Sequence, residues 1–74
     1  MVTDVLAATE VKRLVYSAKD LLLESMAAVE RRCPPDEYAV YKRAVGQVVS
    51  KMLTDIIGPL YEQNPSLKPE GWDS

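Results

Sequence analysis

Histidine is missing from this sequence, and with it the side chain most often used to move protons near neutral pH. Only one cysteine is present, Cys33, so no internal disulfide can staple the fold, and without histidine no zinc site of the usual kind can form. No glycine-rich phosphate loop occurs, and no general base is placed to activate the Cys33 thiol. Next to Arg31 and Arg32 at a helix C-terminus that thiol feels opposing influences, and a structural or incidental role suits it better than a sensor. These gaps point to a chain that is not an enzyme, with no catalytic residues, no cofactor and no metal. Phenylalanine is also absent. Every aromatic, Tyr16, Tyr38, Tyr41, Tyr61 and Trp72, therefore carries a polar tip suited to bundle edges and protein contacts.

Charge of one sign is lacking too. Nine basic residues against 11 acidic ones leave a net charge of −2, which gives no field favouring nucleic acid or an anionic membrane. The first ten residues hold Asp4 and Glu10 but no lysine or arginine, unlike the basic start of a secretory signal. No apolar run approaches the roughly 18 residues that would span a bilayer. The expectation is a reduced, cytoplasmic setting with no membrane association, which a lone cysteine suits.

At 74 residues a chain sits near the lower limit at which one hydrophobic core suffices, and small domains compensate with disulfides, a metal or oligomerisation. The first two are excluded by composition. Oligomerisation is what remains.

What the sequence does contain is helical periodicity. Thr3 is a candidate N-cap with Asp4 in the first turn, and no proline or glycine interrupts the chain from there to Arg32. Val11, Val15, Ala18, Leu22, Met26 and Val29 recur every three or four residues, flanked by Leu14 and Leu21. The spacing predicts a helix over about 4–32, about 43 Å long at 1.5 Å per residue. Cys33-Pro34-Pro35 ends it, since neither proline can continue a helix. Pro35 suits the first turn of a second helix, and Asp36 and Glu37 complement its positive end. So short a link forces the two helices to lie antiparallel.

The second helix spans about 35–63, with a kink or break at 58–59, because Pro59 opposes the carbonyl of Asp55. It carries two apolar rows. At 100° per residue Tyr38, Tyr41, Val45, Val48, Met52 and Ile56 form one, and Val49, Leu53, Ile57 and Leu60 form another beside it. Two rows exceed what one partner helix covers, and the chain has only one other long helix. A second copy of the molecule is the natural cover. Residues 1–64 thus form a helical hairpin and 65–74 an extended, irregular tail rich in proline.

Three groups of residues stand out as candidate sites. Val49, Leu53, Ile57 and Leu60, joined by Tyr16 and Leu23 on the first helix, are assigned to an oligomer interface, with Gly46 permitting close approach. Arg31, Arg32, Lys42 and Arg43 gather near the loop beside Tyr38 and Tyr41 and form a candidate nucleic-acid patch, although the same residues cap and solubilise helices in an acidic chain. Leu67 and Trp72 are the tail's apolar residues and are read as anchors that fold it back, or as a short motif for another protein. Asp55, at the edge of the apolar face, needs a partner, and Lys51 one turn earlier is the nearest.

The expected fold is all-α: an antiparallel two-helix hairpin that dimerises into a four-helix bundle. The expected function is that of a small homodimeric interaction or adaptor module with itself and an unknown protein as partners. A nucleic-acid-binding regulator using the basic patch is the alternative.

Overall fold

The computed structural model describes residues 2–72; Met1, and Asp73 and Ser74 of the expected tail, lie outside the described residues. Helix α1 runs from Val5 to Arg32 and helix α2 from Pro35 to Lys51, joined only by Cys33 and Pro34. The two pack antiparallel in a rod of 44 × 22 × 20 Å. The described chain is helical throughout its regular structure, without a strand.

The N-cap of α1 is Asp4 rather than Thr3. Its carboxylate accepts from the backbone N–H of Leu6 at 2.9 Å and of Ala7 at 3.3 Å. A charged acceptor meets the positive helix end better than a threonine hydroxyl, which moves the start one residue along. At the other end Cys33 N–H still reaches the carbonyl of Val29 at 2.9 Å, with Arg31 and Arg32 in the last turn. Pro35 then opens α2, with Asp36 and Glu37 in its first turn.

Beyond Lys51 the helix does not break at Gly58-Pro59. Residues Met52–Ile57 form a π-helical turn, and α3 follows directly over Gly58–Gln63. The Gly58 N–H closes the wide turn on the carbonyl of Leu53, five residues back. Pro59 has no N–H to give and collides with the carbonyl four residues before it in an ordinary helix. A turn holding one extra residue accommodates that ring and lets the helix continue. It also retards everything after it by about 100°, the angle of one α-helical residue.

The fully buried side chains reflect that shift. Ala8 from α1, Ile57, Leu60 and Tyr61 form one cluster, with Val2, Val11, Val15, Tyr16, Leu53, Leu67 and Trp72 packed around it. In an unbroken α-helix Tyr61 would point almost opposite to Val45, at about 160° from it. With the wide turn inserted, both are buried. Past Asn64 the chain makes a 3₁₀ turn over Pro65–Leu67 and then returns across the cluster, so the tail is not simply extended. Away from this end Val45 is the one further buried hydrophobic residue among those described.

Candidate interaction surfaces

Two hydrogen bonds between helices mark opposite faces of the hairpin. Tyr16 Oη lies 3.3 Å from Tyr61 Oη on one. On the other, Ser25 Oγ lies 2.6 Å from Tyr41 Oη while donating to the carbonyl of Leu22 at 2.5 Å. That second bond fixes the Ser25 hydroxyl hydrogen, so the Tyr41 phenol donates to Ser25.

The Tyr16 face belongs to the closed end of the hairpin. Tyr61 and Trp72 meet edge to face, with ring centroids 4.8 Å apart and planes at 86°. Lys12 reaches over the Tyr61 ring at 5.5 Å and donates to the carbonyl of Leu67 at 2.9 Å, tying α1 to the returning tail. Asn64, buried, donates from Nδ2 to the carbonyls of Val2 at 2.8 Å and Leu60 at 3.1 Å. The Trp72 indole N–H is buried without a partner, which costs free energy that the ring's apolar contact must offset. Burial first, and then the bond to Tyr61, raise the Tyr16 phenol pKa above its ordinary value, against an opposing pull from Lys19 and Lys12.

Against this geometry the six residues assigned to an oligomer interface separate. Ile57 and Leu60 are fully buried within the single chain. The wide turn swings them off the line of Val49 and Leu53 and onto the Val45 side, so they have no surface to give to a second copy. Val49, Leu53 and Tyr16 are half-buried, with Leu53 and Tyr16 packed on the closed-end cluster. Leu23 remains exposed. Leu67 and Trp72 both sit on the cluster.

The four cations near the loop are all exposed. Arg31 and Arg32 are neighbours, as are Lys42 and Arg43, so within each pair the side chains diverge by about 100°. The four therefore do not all point the same way, and two acids, Asp36 and Glu37, lie between the pairs in sequence. Elsewhere Asp55 finds Lys51 at 3.4 Å, with both side chains solvated, and Glu10 pairs with Arg13. That pair lowers the Glu10 carboxyl pKa, through the hydrogen bond first and the charge second. Among the described residues no three cysteine or acidic side chains converge as metal ligands, and no helix is long and apolar enough to cross a membrane.

Exposed large apolar side chains occur on more than one face: Val5, Leu6 and Leu23 of α1 lie away from the Ser25–Tyr41 bond, and four others lie on its side. Leu14 is 51% exposed and Leu21 65% on α1, and Val40 is 72% and Val48 49% on α2. Helical spacing places all four on the side of the Ser25–Tyr41 bond. Beside Val40, an open cavity of about 420 Å³ is lined by Asp36, Glu37, Val40, Tyr41 and Ala44. Neither Val40 nor the pairing of Lys12 with Leu67 is visible in the sequence. Val40 falls outside both apolar rows, and a lysine bonded to a carbonyl 55 residues away leaves no periodic signal.

Scanning family models, curated proteins and solved structures finds no match to this chain. These surfaces are what bears on its function.

Proposed function

We propose that the hairpin pairs with a second copy into a four-helix bundle, and that this homodimer works in the cytoplasm as a small interaction or adaptor module for another protein. The observation that carries the reading is the contrast between one completed core and the leucines and valines left in water. Ile57, Leu60 and Tyr61 are sealed in that core, while Leu14, Leu21, Val40 and Val48 stay exposed on one face of the rod. Covering a large aliphatic side chain stabilises by about 1.5–3 kcal/mol, and several of them exposed on one side of a small domain support an association surface. A hairpin whose partner is another hairpin gains that cover without further chain.

Light scattering on a sizing column across a dilution series tests this directly. The expected result is a mass of twice the 8.3 kDa chain that falls toward the single chain only on dilution. A folded chain that stays at 8.3 kDa at the highest concentrations would overturn the dimer.

A further inference from the structure

The dimer reading leaves open which face is covered and in what orientation, and any assignment of the two rests on that reading. Along the exposed side of α2 the residues Glu37, Val40, Ala44, Val48 and Lys51 are spaced three, four, four and three apart. At 100° per residue they fall within an arc of about 80°. The order reads the same in both directions about Ala44, apart from its charges, which are opposite at the two ends. We infer that this stripe pairs with its own copy, antiparallel, across a two-fold axis passing Ala44.

In that arrangement Val40 of each chain faces Val48 of the other, and Glu37 faces Lys51 at both ends. An isologous contact requires that kind of self-complementarity. Ala44, small and exposed, lets the two helices approach at the axis. The cavity beside Val40 is rimmed by Asp36 and Glu37, and it receives the second copy's Val48 with its Lys51 at the acidic rim. Apolar filling and charge both fit one occupant, a second molecule of this chain.

Helix α1 agrees independently. The Ser25–Tyr41 hydrogen bond fixes the relative level of the helices. Leu21 lies four residues from Ser25 and Ala44 three from Tyr41, both away from the loop. At 1.5 Å per residue the two are level to within about 1.5 Å. The axis that passes Ala44 therefore passes Leu21 too. Leu21 then meets its own copy, and Leu14 meets Ala28, a large side chain opposite a small one. One two-fold axis satisfies both helices, giving a bundle in which α1 packs on α1 and α2 on α2.

Cysteine cross-linking tests the geometry. In a Cys33→Ser background, Ala44→Cys is oxidised with copper phenanthroline at a concentration where light scattering shows the dimer, beside Gly46→Cys, which lies on the opposite face. Rapid conversion of the Ala44→Cys chain to a covalent dimer, with the Gly46→Cys chain at least about tenfold slower, is expected. Charge reversal gives a second readout. Glu37→Lys raises the dimer dissociation constant about tenfold, the sum of two lost rim pairs and the repulsion that replaces them, and adding Lys51→Glu restores most of it, with helicity followed by circular dichroism. If the native chain is a dimer yet the two cysteines cross-link equally, or the double reversal fails to restore association, this face is wrong and the dimer stands. If the native chain is a monomer, both readings fall.

Discussion

The two ends of the hairpin are built from the same kinds of residue and reach opposite outcomes. At the closed end Ala8, Ile57, Leu60 and Tyr61 are fully buried, and Asn64, Lys12 and the returning tail bind the helices with side-chain hydrogen bonds to backbone. Toward the loop only Val45 is buried, while Leu21 and Val40 are mostly in water. The closed end has a third layer, the tail returning across α1 and α3, and the rest of the rod has two helices alone. Two helices offer each other one face each. A core needs something laid across them, and here the chain supplies it once.

Substitutions that treat the ends differently test that contrast. Leu60→Ala removes a fully buried side chain and should cost about 2–5 kcal/mol by urea denaturation, whereas Leu21→Ala should leave the folding midpoint of dilute protein nearly unchanged. Equal effects would mean that the ends are not distinct. Asn64→Ala withdraws a donor from two carbonyls and should cost about 1–3 kcal/mol. Next comes the tail. Trp72→Ala should lower stability by about 1–3 kcal/mol through lost apolar burial, while Trp72→Phe should cost less than half as much, because it keeps an edge-on ring and deletes an unpaired indole N–H. A tail that contributes nothing would show neither loss.

The smallest effect expected is a pH dependence. The folded chain holds the Tyr16 proton more tightly than the unfolded chain does. Its contribution is therefore complete below the unfolded value, about 10, and is lost as the pH climbs through the higher folded one. Thermal melts should drop past pH about 10, and Tyr16→Phe should make that drop shallower. An identical alkaline profile in the variant would remove Tyr16 from the account.

The helices, the proline turn and their antiparallel order were legible in the sequence because each rests on local chemistry: a helical period, two prolines without donors, and acids at a helix start. The continuation past Pro59 was legible as well, since Leu60 and Tyr61 keep an apolar pattern. Which way those residues face was not. Counting at a constant angle per residue places Ile57 and Leu60 beside Val49 and Leu53, and only the wide turn, closed by the Gly58 N–H on the carbonyl of Leu53, rotates them inward. The Asp4 cap and the lysine–tail bond were hidden for different reasons. Thr3 and Asp4 are adjacent residues of types that both serve as caps, so the pattern alone does not say which one does, and Lys12 and Leu67 are brought together only by tertiary folding.

The π-helical turn at Met52–Ile57 lets one continuous helix keep two angular conventions. Upstream of it α2 buries Val45, bonds Ser25 through Tyr41 and leaves Val40 and Val48 exposed, and downstream α3 buries Leu60 and Tyr61 in the cluster with α1 and the tail. Lengthening or shortening that joint by one residue would re-index one half against the other while leaving each half's internal spacing intact. Such a change would act like turning a key in its barrel: Leu60 and Tyr61 would leave the lock together, and the stripe from Glu37 to Lys51 would not move.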